Sequence, residues 1–179
     1  MSPWYVQLRP LSVLVANCLD GFGLEAEKRH RQVVVDPALE LLPEAEVDVA
    51  RLTIALNNLI ENALKYSFPN TKIHIRSMVE APGDLELAAA VIEIDDLGDA
   101  VRPEDQERIF EQGARGLTRA KMGRIPGSGL GLWETRAVLA AHRGAISVVS
   151  QPTTIYRPQG QAHHVVFSVK IPLRQPQRK

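Results

Sequence analysis

Apolar positions along the chain follow two spacings, one helical and one alternating. Leu11, Leu14, Val15 and Cys18 fall at helical intervals. Pro10 suits a first helical turn. The stretch "LRPLSVLVANCLDGFGLEAEKRH" therefore reads mostly as helix, with Gly21 and Gly23 interrupting its second half. "RQVVVD" reads as a short strand. "VARLTIALNNLIENALKYS" is a second helix, with Leu52, Leu56, Leu59 and Ala63 on one face. It should stop before Pro69, because a residue preceding proline avoids the helical region. "TKIHIRSM" and "LELAAAVIEIDD" read as strands joined by a turn containing "APGD". "RPEDQERIF" predicts a short helix, and "LGLWETRAVLAAH" a third long one. "AISVVS" and "HHVVFSVKIP" close the chain as strands. The segment between the last two helices, residues 111 to 129, holds five glycines and no clear period, so it reads as a loop. With no internal repeat, the pattern predicts one α/β domain over residues 1–173 and a loose tail over 174–179. The architecture expected is a two-layer α/β sandwich: a mixed, mostly antiparallel sheet with helices on one face.

Composition narrows the class without naming a function. The 179 residues suffice for one sizeable core. Net charge is zero, so no global attraction to nucleic acid or anionic membrane is expected. The single cysteine, Cys18, excludes an internal disulfide framework and sits in an apolar run, as a buried structural thiol would. No apolar run is long enough to span a bilayer. The opening residues lack the basic-then-apolar order of a signal peptide.

Chemistry enters where polar residues break these patterns. In the second helix Asn58, Asn62 and Lys65 share a face, at i, i+4 and i+7, away from the centre of the leucine stripe. Amide oxygens suit Mg²⁺, and a lysine beside them suits phosphate. In "IEIDDLGDAVRPED", Asp96 follows a strand and Gly98 permits a tight turn. A carboxylate there can accept from an exocyclic amine such as that of adenine. In "PGSGLGL", Gly127, Gly129 and Gly131 open the third helix, where backbone amides favour anions. The loop before it carries Arg115, Arg119, Lys121 and Arg124 against one acid, Glu111. Each feature also has a commoner explanation: a solvated helix face, an acidic turn, a flexible connection. The five histidines, His30, His74, His142, His163 and His164, lack metal-ligand spacing and read as structural.

The order of these features is more specific than any one of them. The chain resembles the ATP-binding catalytic domain of sensor histidine kinases, within the gyrase, heat-shock chaperone, histidine kinase and mismatch-repair ATPase superfamily. "NNLIENALKYS" resembles its N box, "DLGDAV" its first glycine box, "RIFEQGARG" its F box and "GSGLGL" its second glycine box. "AHRGAISVVS" and "VVFSVKIPL" resemble its closing strands.

The resemblance implies two cofactors, ATP and Mg²⁺, and a role for each matched position. Asn62 would coordinate Mg²⁺, supported by Asn58. Lys65 and Tyr66 would contact the nucleotide. Asp96 would accept from the adenine amine, and Gly98 would shape the adenine pocket. Arg115, Gly127, Gly129, Leu130 and Gly131 would hold the phosphates. Asn57 precedes the usual pair and takes no role. The resemblance also implies partners: a phosphoacceptor and dimerisation domain of the same kinase, and a response regulator downstream. Neither nucleic acid nor membrane would be touched by this fragment, which would be cytoplasmic even if the full protein is membrane-anchored. Two positions depart from the pattern. Ala100 stands where a second glycine is usual, and would be strained by roughly 1 kcal/mol if its φ were positive. Gly113 stands where the F box has a second aromatic. Two alternatives stay open: a self-contained ATPase of the gyrase or mismatch-repair type, and a degenerate, non-catalytic nucleotide-binding module. The superfamily's ATPases place a water-activating glutamate four residues before the metal-binding asparagine, where this chain has Asn58. Glu61 lies about 100° around the helix from Asn62, placed instead to pair with Lys65 at i+4.

Overall fold

The computed structural model describes residues 4–81, 83–84, 87–114, 129–158 and 160–175. Helix α3 (Val49–Tyr66) is the central helix. Its stripe of Leu52, Leu56, Leu59 and Ala63 is buried, joined by Ile60 and Leu64. Burying a leucine or isoleucine side chain stabilises by about 1.5–3 kcal/mol, which outweighs the poor helix propensity of three asparagines. Asp48 caps the helix, its carboxylate accepting from the Arg51 N–H at 3.2 Å. Burial alone would raise the Asp48 pKa. Bonds from the backbone of Tyr5 and Arg51, and from the Arg51 guanidinium, hold it below the ordinary range instead. The helix ends at Ser67, which is extended as the approach to Pro69 predicts.

The main sheet has five strands: β2 (Arg31–Val35), β4 (Thr71–Glu80), β5 (Ala89–Gly98), β6 (Ala145–Arg157) and β7 (Gly160–Pro172). Their spatial order is β2-β4-β5-β7-β6. Only the β2–β4 pair is parallel, so the sheet is mixed and mostly antiparallel. Helices α1 (Leu11–Asp20), α3 and α4 (Gly131–Ala141) pack on one face. Val165, Phe167, Val169 and Ile171 of β7 are buried on that face and alternate with less buried neighbours. The opposite face is polar: Arg76, Glu93, Asp95 and His164 gather there. This is the two-layer α/β sandwich expected.

Several elements differ from their predicted form. The first helix is two, α1 and α2 (Gly23–Lys28), because the chain turns at Gly21 and Phe22. Residues 102–110 form two short 3₁₀ turns, Pro103–Asp105 and Arg108–Phe110, instead of one helix. A two-stranded antiparallel ribbon of β1 (Gln7–Pro10) and β3 (Glu44–Val47) had no sequence counterpart. A further 3₁₀ turn, Pro37–Leu41, precedes β3. Both closing strands run well beyond their predicted ends at the β6–β7 turn. Arg174 and Gln175, assigned to the tail, are tied down. Arg174 Nη1 lies 3.3 Å from Glu46 Oε1, and Gln175 Nε2 donates to the His142 carbonyl at 2.8 Å.

Candidate functional site

Three elements converge on one side of α3: its own C-terminal half, the end of β5, and the start of α4. The chain leaves α3 and joins β5 directly. The Phe68 N–H donates to the Leu97 carbonyl at 2.8 Å, and Ser67 pairs with Gly98 as an isolated bridge. Tyr66 and Gly98 are thereby brought together. A Cβ on residue 98 would lie 3.0 Å from Asp96 Oδ1 and 3.0 Å from the Tyr66 carbonyl oxygen. Gly98 thus preserves the space between a carboxylate and a backbone carbonyl. Asp96 is 3% exposed and sits on the helix-facing side of β5, opposite Val165. Its neighbour Asp95 points to the other side. There it meets the Arg76 guanidinium, and its Oδ1 lies 2.9 Å from His164 Nδ1.

At the other end of the site α4 docks on α3. Asn58 Nδ2 donates to the Gly131 carbonyl at 3.2 Å and lies 3.5 Å from Glu134 Oε2. Buried Thr135 donates to the same Gly131 carbonyl at 2.8 Å and lies 3.3 Å from the Ala55 carbonyl. Gly129 has φ of +73°, which a side chain would strain, so the turn into α4 requires a glycine here. Leu130, next to it, is 39% exposed. Asn62 is half-buried, one turn beyond Asn58. Lys65 Nζ lies over the Tyr66 ring, 5.5 Å from its centroid. The expected Glu61–Lys65 pair is not among the ion pairs of the described residues; Lys65 turns to the aromatic ring instead. Arg115 and Gly127 lie outside the described residues, as do Arg119, Lys121 and Arg124.

The two departures now have structural readings. Ala100 is absent from the non-glycine residues at positive φ, so the strain anticipated there does not arise. Gly113 has φ of +76°, a conformation that an aromatic residue would adopt only with strain. Phe110, the F box's first aromatic, is buried edge-on against Phe167, 6.3 Å between centroids.

Sequence reasoning did not single out Ser150 and read His142 only as structural, yet both hold this frame. The Val101 N–H donates to Ser150 Oγ at 3.0 Å, and Ser150 Oγ is 3.0 Å from His163 Nδ1. This pair fixes the loop after Gly98. His142 is 1% exposed. Its Nε2 accepts from the Asp48 N–H at 2.9 Å, and its Nδ1 bonds the Val138 carbonyl at 2.8 Å. It thus ties the end of α4 to the start of α3. No local signal marks either residue, since their partners lie 49 and 94 positions away.

Among the described residues, no cluster of histidine, cysteine, aspartate or glutamate could hold a metal ion. An octahedral Mg²⁺ here would draw on an amide oxygen such as that of Asn62 together with polyphosphate oxygens. Asp96 with the space kept by Gly98 suits a flat ring bearing an amine, and the glycine-led start of α4 suits phosphates. The donor set therefore fits a nucleotide with a divalent cation. No helix among the described residues is long and apolar enough to cross a membrane.

Comparison with known proteins gives the same picture. The family described as "Histidine kinase-, DNA gyrase B-, and HSP90-like ATPase" matches residues 47–175. Sensor-like histidine kinase SenX3 of Mycobacterium tuberculosis (strain ATCC 25618 / H37Rv) is 35% identical over 142 residues, covering 76% of this chain and 33% of that protein. Sensor histidine kinase CpxA of Escherichia coli (strain K12) is 36% identical over 139 residues, covering 78% and 28%. Among solved structures, the mycobacterial sensor histidine kinase MprB superposes with a TM-score of 0.72 at 22% identity, over 96% of this chain and 100% of that one. The catalytic domain of histidine kinase ThkA, nucleotide-free, gives 0.70 at 22% identity, over 95% and 97%. The chain spans about a third of the length of the SenX3 relatives it matches.

Proposed function

The chain belongs to the histidine kinase-, DNA gyrase B- and HSP90-like ATPase family, and from that premise we propose that it binds ATP with Mg²⁺ and donates the γ-phosphate to a histidine on a separate phosphoacceptor domain. That domain would belong to the same kinase and would pass the phosphate to a response regulator. The work would take place in the cytoplasm. Bound ATP with Mg²⁺ supplies the phosphoryl group and neutralises its charge. The chain's own residues position it. Asp96 accepts from the adenine amine in the space that Gly98 leaves open. Lys65 and Tyr66 flank the nucleotide. Asn62 offers its amide oxygen to the metal. Gly129, Leu130 and Gly131, with Arg115 and Gly127, take the phosphates at the start of α4. Asn58 orients that helix start through the Gly131 carbonyl. Catalysis of this kind is positioning and electrostatics, with little covalent chemistry asked of the protein.

One observation favours transfer over hydrolysis. Four residues before Asn62, the side chain is an amide already bonded to α4, with no basic lone pair to activate water. The purified chain should therefore bind ATP in calorimetry and hydrolyse it very slowly. It should not label itself, and it should phosphorylate a cognate phosphoacceptor domain on histidine in trans. A second reading, the self-contained ATPase, has Glu134 in its favour, whose Oε2 lies 3.5 Å from Asn58 Nδ2. Brisk phosphate release by the chain alone, abolished by Glu134→Gln or Glu61→Gln, would establish that reading instead. Binding without transfer to any acceptor would point to a non-catalytic module.

A further inference from the structure

Asn57 has no part in the nucleotide face. It lies about 100° around α3 from Asn58, on the side that meets α1. Its Oδ1 is buried and has no hydrogen-bond partner among the described residues. A buried acceptor left unpaired is costly, and such orphans are rare enough to ask for a reason. Beside it is a cleft of about 380 Å³ between α1 and the first half of α3. Val49, Thr53 and Asn57 line it at i, i+4 and i+8 of α3, and Val13, Leu14 and Phe22 face them. Val13 is 54% exposed at the rim, while Leu14 is buried at 6%. The volume lies at the lower end of the range of small-molecule pockets, about 300–1,000 Å³. Mostly apolar walls around a few polar groups are what such pockets present.

We propose that this cleft is a binding site for a small, flat, mostly apolar molecule carrying one hydrogen-bond donor, which the Asn57 carbonyl oxygen accepts. The terminal torsion of asparagine is soft, so the amide can turn its oxygen toward an entering donor. Cys18 and Thr53 lie at the same cleft. Burial pushes the Cys18 thiol pKa up and the Thr53 hydroxyl draws it down, with burial the larger effect, so Cys18 contributes an apolar wall and no charge. Arg9 also lines the cleft, with its guanidinium bonded to the Gln7 side chain, so an uncharged ligand is matched to the Cys18 and Thr53 side of the lining.

Indole and benzofuran test this directly, since they share a shape and only indole carries an N–H. Each is titrated into the 179-residue chain and followed by amide chemical shifts. The result expected is shifts confined to α1 and residues 49–57, with indole binding about 5–10-fold tighter, the worth of one hydrogen bond of about 1–1.4 kcal/mol. Asn57→Leu should bring the two ligands to equal affinity. Val13→Trp, at an exposed position that leaves the core alone, should fill the mouth and abolish binding of both. Failure of either ligand to bind at its solubility limit overturns the site. So do shifts centred on the nucleotide face. An indole preference that survives Asn57→Leu overturns the role of Asn57.

Discussion

Asp95 and Asp96 are adjacent, alike in charge and almost equally buried, at 4% and 3% exposed. The pleat of β5 sends them to opposite faces. Asp95 meets Arg76 and His164 on the polar outer face. Asp96 meets the space kept open by Gly98 on the inner one. Burial alone therefore does not tell a structural carboxylate from one proposed to bind a ligand. What differs is the surroundings. Around Asp95 the protein places a guanidinium and an imidazole, whereas Gly98 leaves space next to Asp96.

The largest effect that could sharpen this contrast is on Asp96. Asp96→Ala should weaken ATP binding by at least about 30-fold, or ~2 kcal/mol, as the adenine amine loses its acceptor in a closed site. ATP should also be preferred to GTP, whose ring carries a carbonyl at the same place. Calorimetry of both nucleotides on parent and mutant measures this, and equal affinities would end the assignment. Gly98→Ala should come next. Its Cβ would crowd the Tyr66 carbonyl, and overpacking of this kind costs about 1–3 kcal/mol. ATP affinity should fall about 10-fold, with the carboxylate untouched. Unchanged affinity would mean the space beside Asp96 is not used. Asp95→Ala should reverse the pattern, costing about 1–2 kcal/mol of stability and leaving ATP affinity within about twofold. The cost stays modest because the Arg76 and His164 side chains are 43% and 51% exposed and regain water. A denaturant melt together with a binding curve separates the two outcomes. A large loss of affinity would erase the distinction between the neighbours.

The smallest effect is one of pH, and it lies outside the pair. Burial holds the His142 pKa below its ordinary 6.5, against the bond to the Val138 carbonyl and the charge of Asp48. Folding thus favours the neutral ring. As pH falls below about 6.5 the unfolded chain takes up the proton first, so stability drops from there down to the folded pKa. Asp48 adds a second loss lower down. Its pKa is depressed below 3.8, so its contribution is present above that value and fades as pH falls through the folded pKa. His142→Phe should flatten the upper part of the melting-temperature profile. A profile unchanged by that substitution would assign the acid response elsewhere.

Much of this was legible because long periodic segments report their own burial. The leucine stripe of α3 and the alternation of β7 are local patterns that the core enforces. Asp96, Gly98, Gly129 and Gly131 stood out as departures from those patterns. β1 and β3 were not visible, because four-residue strands such as "EAEV" are too short to show a period. The 3₁₀ turns around Asp105 were read as helix because charged residues near Pro103 imitate a helix start. Ser150 and Asp95 were missed, and His142 was read as structural without its anchoring partner, for a different reason. Each is defined by a partner far away in the chain. Asn57 was visible as an oddity, but only the placement of α1 shows what it faces.

The position of β7 has a consequence for how the protein is made. This strand is the last in the sequence, yet it lies in the interior of the sheet, between β5 and β6. Val165 on it stands directly opposite Asp96. While the chain is still being synthesised, β5 has only β4 to pair with. The wall across from Asp96 does not yet exist. Contacts so distant in sequence form late and slowly. A nascent chain released before residue 165 therefore presents β5 as an open sheet edge, and the wall facing Asp96 is completed only when β7 pairs.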